Sequence, residues 1–122
     1  MTQMVSRQTA SHYKWGGTNG DDCDGWHLVR TPYLSIIEEL MPPGTREVSH
    51  FHVHSRQFFY VLEGELTLEV EQQSFVLQAG EGLEVSPGQS HQVFNRSANL
   101  TRILVTSQPP SHGDRVGTDG QG

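Results

Sequence analysis

The chain has 122 residues, which is enough for one domain with a hydrophobic core and too few for two of ordinary size. A net charge of −6 and scattered basic residues argue against a nucleic-acid surface. Cys23 is the only cysteine, so no internal disulfide can form. The polar N-terminus lacks the apolar core of a signal peptide, and no segment is long enough to span a membrane. These features predict a cytoplasmic protein without nucleic-acid or membrane partners.

Short apolar segments separated by turn residues recur along most of the chain. This pattern, with 13 glycines and six prolines, is typical of an all-β sandwich or barrel. Residues 1–11 are expected to be disordered or weakly ordered, 12–107 to form a single β-barrel domain, and 108–122 to form an irregular tail. After a loop-like stretch from 12 to 25, about nine strands are predicted: 26–30, 33–41, 47–54, 57–62, 66–71, 74–78, 83–86, 91–95 and 100–106.

Three histidines alternate with apolar residues in the third of these strands. His50, His52 and His54 flank Phe51 and Val53. Side chains two positions apart point to the same face of a strand, so all three would share one face if the strand stays regular. Histidine is the commonest metal ligand in proteins, and two imidazoles on one strand face can share an ion. The segment is therefore a candidate metal-binding strand.

Two blocks of spaced glycine, histidine and polar residues frame this strand and a later one. The first contains Gly44, His50, His52, Gln57 and Gly64, and the second contains Gly80, Ser86, Gly88, His91 and Asn95. Together they resemble the paired motifs of the cupin superfamily. Glutamine stands where the family usually has glutamate, and Ser86 where it usually has proline. The resemblance implies a cupin-type double-stranded β-helix, or jelly-roll barrel, with a metal ion in its mouth.

The metal ligands implied by the resemblance are His50, His52, Gln57 and His91. They would bind one divalent transition-metal ion per chain, and the donor set suits Zn, Ni, Mn, Fe or Cu. An uncharged amide ligand leaves the full double charge on the ion, which makes it a stronger Lewis acid that is held less tightly. His54 lies outside the family's spacing, and is expected at the rim as a substrate contact, a general base or simply a solvated side chain.

Three functions remain open for such a protein. The first is an enzyme that acts on a small polar or carbohydrate-like molecule by Lewis-acid chemistry of the isomerase or lyase type. The second is a non-catalytic, metal-dependent module that binds or senses a small ligand. The third is a dioxygenase-type cupin with a redox metal. The fold is reused for many activities, so the sequence does not decide between them.

The strand after the histidines is apolar on both faces. Phe59 and Val61 are expected to point inward with Gln57, while Phe58, Tyr60 and Leu62 point outward. An outward apolar face needs a cover, and a second copy of the chain is one candidate, which predicts a homodimer.

Further residues could reach the barrel mouth. Tyr33, Glu38 and Arg102 could project into it, depending on a strand phase that a one-residue shift would reverse. Cys23 is expected to be a small buried residue or a pocket thiol, and His12, His27 and His112 are expected to be structural. Three tail residues are expected either to move freely or to cross the mouth: His112, Asp114 and Arg115.

Overall fold

The computed structural model describes residues 2–17 and 19–118. Positions 1, 18 and 119–122 lie outside the described residues, and with them parts of the predicted N-terminal segment, loop and tail. The described residues form eleven strands: β1 (Ser11–Trp15), β2 (Cys23–Arg30), β3 (Ser35–Met41), β4 (His50–His52), β5 (Arg56–Glu63), β6 (Glu65–Val70), β7 (Gln73–Gln78), β8 (Gly82–Val85), β9 (His91–Phe94), β10 (Thr101–Gln108) and β11 (Arg115–Gly117). None of these residues belongs to a helix long and apolar enough to cross a bilayer.

Two antiparallel sheets make up the fold. The six-stranded sheet has the order β1-β2-β3-β10-β5-β8, and the five-stranded sheet has the order β11-β4-β9-β6-β7. Residues that alternate along each strand pack between the sheets and form the core, which includes Val61, Leu66, Leu68, Val93 and Ile103. The predicted all-β, jelly-roll class is confirmed. The arrangement places β4 and β9 of one sheet opposite β3, β10 and β5 of the other.

The stretch predicted as a loop between 12 and 25 contains two strand segments instead. Tyr13 and Trp15 alternate with polar residues in β1, and this strand pairs with β2 in the register Tyr13↔Gly25 and Trp15↔Cys23. The turn that joins the two strands begins at Gly16 and Gly17, whose positive φ angles favour glycine. Because β1 pairs with β2 across this turn, β1 becomes an edge strand of the six-stranded sheet.

The histidine strand is shorter than predicted. Only His50–His52 is a strand, because a carboxylate from the tail bends the chain after it. The Asp114 carboxylate accepts hydrogen bonds from the backbone N–H groups of Val53 (3.1 Å), His54 (2.9 Å) and Ser55 (2.8 Å). The regular alternation that would have carried His54 onto the face of His50 and His52 therefore ends at His52.

The tail is also more ordered than its composition predicts. Strand β11 pairs with β4 in the register Arg115↔His52 and Gly117↔His50. Its order comes from backbone hydrogen bonds and from Asp114, neither of which requires apolar side chains. The expectation of an irregular tail is therefore corrected for Arg115–Gly117. The domain limits at 12 and 107 stay predictions.

Candidate metal centre

A cluster of three buried histidines lies between the two sheets. His50 and His52 come from β4 and His91 from β9, where His50 and His91 are directly paired across the strands. Their exposed fractions are 4%, 5% and 2%, and one ring nitrogen of each lies within 4.8 Å of the others. This separation allows all three imidazoles to contact one ion. The cluster is therefore compatible with a bound metal.

The backbone fixes the tautomers of two of these histidines. Nδ1 of His50 lies 2.8 Å from the carbonyl oxygen of Val48, and Nδ1 of His91 lies 3.0 Å from that of Gln89. A carbonyl oxygen only accepts hydrogen bonds, so Nδ1 carries the proton in both rings. Nε2 of each ring then presents a lone pair to the cluster, as metal ligation requires.

Burial keeps the histidines neutral. Loss of hydration lowers the pKa of His50 to about 3 and that of His52 to about 4, and it also lowers the pKa of His91. All three imidazoles are therefore uncharged at neutral pH. Nδ1 of His52 is buried without a hydrogen-bond partner among the described residues. Three neutral imidazoles, one with an unpartnered nitrogen, are a donor set suited to a divalent transition metal.

Gln57 brings an oxygen to the same place from the opposite sheet. It lies on β5 opposite Ser107 of β10, and its Nε2 donates a hydrogen bond to the Ser107 hydroxyl at 3.0 Å. Its Oε1 lies 3.1 Å from Nε2 of His91. Because the proton of His91 is on Nδ1, this contact places two lone-pair donors face to face. A cation would satisfy both, and two ligands of one ion at right angles lie about 3 Å apart.

A metal-free alternative exists for this contact. If the Gln57 amide turned over, its NH₂ group could donate to Nε2 of His91 while its oxygen accepted a hydrogen bond from the Ser107 hydroxyl. The two forms differ in which atom of the amide faces the cluster. The orientation in this structure, with the oxygen towards His91, is the one that fits a metal ligand.

A cavity of about 520 Å³ reaches the cluster. His50, His52 and Gln57 line part of it, and its apolar wall consists of Trp15, Ile37, Phe59, Val93 and Val105. Phe59 points inward as the alternation in β5 predicts, while Val61 is buried in the core. We call this cavity the cup. Its volume suits a small organic molecule rather than a single ion or a macromolecule.

The cup contains polar groups that the sequence analysis missed. Tyr13 and Glu39 line it, and the Tyr13 hydroxyl donates a 2.7 Å hydrogen bond to Oε2 of Glu39. Glu47 lines it as well, and so does His27, which was expected to be structural. The alternation of Tyr13 and Trp15 in β1 was the available signal for the first of these residues. The others depend on strand phase or on a loop, and carry no local signature.

Burial raises the pKa of the two carboxyl groups in the cup, those of Glu39 and Glu47, above that of an ordinary glutamate. It raises the pKa of Glu39 to about 7, an effect that the hydrogen bond from Tyr13 partly offsets. It raises the pKa of Glu47 to about 8, with a further contribution from the negative charge of Glu39. Both groups can therefore gain or lose a proton near neutral pH. This property distinguishes them from the carboxylates on the surface.

Several candidates lie outside the cup. Tyr33 is 79% exposed in a turn, and Glu38 points to the outer face, where Arg102 (3.4 Å) and Arg7 (3.6 Å) approach its carboxylate. The register of β3 turns Glu39 inward instead, so the phase that the sequence left open is the one that places Glu38 outside the cup. Cys23 is fully buried in the core, and burial raises the pKa of its thiol to about 11. An inert small residue is the better description of this cysteine.

The rim of the cup is formed partly by the tail. His112 and Arg115 line the cup, so of the two expectations for the tail, crossing the mouth is the one that the structure supports. His54 is exposed in the bend after β4 and is not among the residues that line the cup. A catalytic role for His54 stays a prediction that its position does not favour.

Comparison with known proteins places these features in context. Residues 37–107 match the family model described as a cupin domain. Over 105 residues the chain is 30% identical to the tetracenomycin polyketide synthase protein TcmJ of Streptomyces glaucescens, which covers 86% of this chain and 69% of TcmJ. It is also 30% identical over 81 residues to MJ1618, an uncharacterised protein of Methanocaldococcus jannaschii, covering 66% of this chain and 65% of that one.

Two further likenesses are informative. The transcriptional regulator PuuR of Escherichia coli is 32% identical over 76 residues, which cover 62% of this chain but only 41% of the regulator. The structure of RemF, a polyketide cyclase from Streptomyces resistomycificus, superimposes with a TM-score of 0.78 at 18% identity, covering 98% of this chain and 89% of RemF. At that identity the likeness to RemF concerns the fold alone.

Proposed function

The chain belongs to the cupin family, and from that premise we propose that it is a metal-dependent enzyme acting on a small, oxygen-rich carbonyl compound. The observation that carries this proposal is the buried histidine cluster at the wall of a cup large enough for a small molecule. The proposed ligands are His50, His52, Gln57 and His91, with one divalent ion per chain. A cytoplasmic location is part of the same proposal.

The donor set favours Lewis-acid chemistry. When bound, the ion would supply positive charge that polarises a substrate carbonyl. Three imidazoles and an amide are all neutral ligands, so they leave that charge undiminished. The residues of the chain would do the rest of the work. Phe59, Trp15 and Val105 exclude water, and Arg115 at the rim offers a positive charge to an anionic substrate group.

Isomerase or lyase chemistry suits this arrangement. Isomerisation through an enolate and loss of water next to a carbonyl group both begin with removal of a proton from the neighbouring carbon, and both need a positive charge at the oxygen and a proton acceptor nearby. The likeness to TcmJ supports a polyketide-like substrate, because such chains are rich in carbonyl groups of this kind. The same reasoning accommodates a carbohydrate-like substrate.

The likeness to the regulator PuuR favours a second candidate, a non-catalytic module that binds a small ligand. Both functions use the same cup, and they differ in whether the bound molecule is altered. A binding module would return its ligand unchanged, whereas an enzyme would isomerise it or remove water from it.

One experiment tests the proposal in two steps. The purified protein is analysed for Zn, Ni, Mn, Fe and Cu, and we expect close to one metal ion per chain. The loaded protein is then incubated with a linear β-polyketone analogue, and mass spectrometry follows the loss of water. Absence of metal after growth with all five ions would contradict the proposed centre. Metal binding with retention of an unaltered ligand would favour the binding module.

The outer face of β5 supports a homodimer as the proposed assembly. Phe58 is 43% exposed, and its ring stacks on that of Tyr60 at a centroid distance of 6.2 Å. A partly exposed aromatic pair in a strand favours a protein partner. Light scattering at micromolar concentration is expected to give twice the chain mass, and a monomer would contradict the assembly.

A further inference from the structure

Three residues in a row cross the six-stranded sheet at the wall of the cup. Tyr13 of β1 pairs with Gly25 of β2, and Gly25 pairs with Glu39 of β3. The two outer side chains meet over the central glycine, where the Tyr13 hydroxyl donates its hydrogen bond to Glu39. A phenol and a carboxyl group are thereby joined on a wall of the cavity that also contains the histidine cluster.

Gly25 makes this contact possible by its size. A Cβ atom built on Gly25 would overlap Cζ of the Tyr13 ring and would crowd its hydroxyl oxygen at 2.5 Å. The φ angle of Gly25 is not in the positive range, so the position does not need glycine for its backbone conformation. The absent side chain leaves the space through which Tyr13 reaches Glu39.

The two neighbouring glutamates of β3 differ in what surrounds them. Glu38 on the outer face is paired with the guanidinium groups of Arg7 and Arg102. Among the described residues no such ion pair involves Glu39, whose carboxyl group accepts its hydrogen bond from the neutral Tyr13 hydroxyl. Glu39 is partly exposed to the cup, so a bound molecule can reach its carboxyl group.

We propose that Glu39 is the proton-exchanging residue of the cup and that Tyr13, lying over Gly25, positions its carboxyl group. This inference rests on the proposed function, because it requires a carbonyl substrate beside the histidine cluster. The C–H bond next to the substrate carbonyl breaks, and its proton goes to a Glu39 oxygen. The electron pair of that bond forms the carbon–carbon double bond, while the carbonyl π pair moves onto oxygen and gives an enolate.

The reverse step completes the balance. Glu39 returns the proton to the same carbon, which regenerates the substrate. If that carbon carries a hydroxyl group, the O–H proton passes to the enolate oxygen, the freed oxygen forms the new carbonyl, and Glu39 delivers its proton to the former carbonyl carbon, which gives an isomer. If a hydroxyl group stands on the next carbon, its departure with the proton from Glu39 gives water and an unsaturated product. No oxidant or reductant is consumed in either route.

The acidity of Glu39 is consistent with this assignment. Burial raises its pKa to about 7, and a general acid–base group works best when its pKa is near the operating pH. β10 presents the apolar Ile103 opposite Glu39. The titratable or charged residues near Glu39 lie on neighbouring elements and on the cup wall. They are Tyr13, Cys23, His27, Arg30, Glu47, His112 and Arg115.

Deuterium exchange into small carbonyl probes tests the proposal. Metal-loaded protein is incubated in heavy water with pyruvate or with dihydroxyacetone, and proton NMR follows the loss of the C–H signals. The variants are Glu39→Gln, Tyr13→Phe and Gly25→Ala. Glu38→Gln is the matched control, since it makes the same change one residue away on the other face of the strand. Circular dichroism verifies that each variant is folded.

The expected results differ between the variants. Glu39→Gln is expected to lower the exchange rate about 100-fold, the usual size of a general acid–base effect. Tyr13→Phe keeps the carboxyl group and removes the hydrogen bond that lowers its pKa, so the midpoint of the rate against pH is expected to move upward. Gly25→Ala is expected to behave like Tyr13→Phe although both functional groups remain. Glu38→Gln is expected to match the wild type.

Two readouts besides activity accompany these rates. Metal content is expected to equal the wild-type value in all four variants. In carbon-13 NMR of glutamate-labelled protein, the carboxyl signal that disappears in Glu39→Gln is expected to shift in Tyr13→Phe. Because Tyr13→Phe creates no steric conflict, it keeps the test decisive if Gly25→Ala fails to fold.

Failure of the inference and failure of the proposed function are distinguishable. Absence of metal from the wild type would overturn the metal centre, and the inference with it. Normal metal content without probe exchange in the wild type would overturn the assignment of Glu39 alone. The same conclusion would follow if Glu39→Gln exchanged the probes within twofold of the wild-type rate, or if the pH midpoint did not move in Tyr13→Phe.

Discussion

The two sheets furnish the cup with different chemistry. The five-stranded sheet contributes nitrogen donors, namely the neutral imidazoles of His50, His52 and His91. The six-stranded sheet contributes the oxygen groups of Tyr13 and Glu39, of which the Glu39 carboxyl group can exchange a proton near neutral pH. The difference suggests a division between a sheet that holds a metal and a sheet that handles substrate protons. Gln57 is the exception, because it lies on the six-stranded sheet and contacts His91 across the gap.

The largest expected effect is loss of metal after a change in the five-stranded sheet. His91→Ala removes a donor that contacts both His50 and Gln57. Changes to residues that only support metal ligands cost about 10- to 100-fold in affinity, so loss of a ligand is expected to cost at least about 100-fold. Competition titration against a chelator of known affinity measures this.

His54→Ala is the matched control for this change. It removes an exposed imidazole two residues beyond His52, and its metal affinity is expected to stay at the wild-type value. Equal losses in both variants would mean that the cluster is not the metal site.

The next largest expected effect concerns Gln57, the metal-ligand candidate on the six-stranded sheet. Gln57→Glu places a negative charge beside His91, and a carboxylate binds a divalent cation more tightly than an amide. We expect metal affinity to rise by about tenfold, equivalent to about 1.4 kcal/mol. Isothermal titration calorimetry measures the change, and Gln73→Glu on the exposed part of β7 is the control. Unchanged affinity in Gln57→Glu would indicate the metal-free orientation of the amide.

The pH dependence of stability separates the buried histidines from the buried carboxyl groups in metal-free protein. The histidines of the five-stranded sheet have folded-state pKa values of about 3 and 4 against 6.5 when unfolded, so their contribution is present above pH 6.5 and lost as the pH falls. Glu39 and Glu47 have raised values of about 7 and 8 against 4.5 when unfolded. Their contribution is present below pH 4.5 and lost as the pH rises to about 8.

Stability of the metal-free protein should therefore fall between pH 6.5 and 8. The slope is expected to be on the order of 1 kcal/mol per pH unit for each group that titrates. Urea unfolding in the presence of a chelator measures it. Glu39→Gln and Glu47→Gln are each expected to flatten the fall, while Glu69→Gln on the surface keeps it. A fall of wild-type steepness in both cup variants would contradict the assigned acidities.

The smallest expected effect concerns the bend that ends β4. Asp114→Asn weakens the three hydrogen bonds to the backbone of 53–55, and we expect a loss of about 1 kcal/mol in unfolding free energy. Amide hydrogen exchange should rise locally at Val53, His54 and Ser55. Asp21→Asn in the β1–β2 turn is the control. Unchanged exchange at 53–55 would show that the carboxylate does not hold the bend.

The sequence predicts the candidate functional residues of the two sheets to unequal degrees. The histidines of the five-stranded sheet lie in two short motifs that resemble those of cupins, and this resemblance is what singled them out as candidate ligands. The inward position of Glu39 depends on the phase of β3, in which Ile37 and Glu39 line the cup while Glu38 faces outward. A one-residue change of phase reverses the face of every residue in a strand, and Ser35–Met41 has apolar and charged residues on both faces. The sequence therefore left the phase open for Glu38 and did not single out Glu39.

The tail escaped prediction for a related reason. Composition predicts order from apolar content, and Arg115–Gly117 has little. Its pairing with β4 uses main-chain groups, which are the same for every sequence without proline. What the sequence predicts well is thus the chemistry carried by side chains at fixed spacing. What it predicts poorly is structure carried by the backbone between distant segments.

The direct pairing of His50 with His91 has a consequence for folding thermodynamics. These residues are separated in the chain by all of β5 to β8, yet they stand side by side at the only position where β4 and β9 are paired in register. An ion held by both would act as a reversible cross-link that closes this long loop and reduces the entropy of the unfolded chain. Free metal concentration would then set the melting temperature, so the protein would be most robust where its cofactor is abundant.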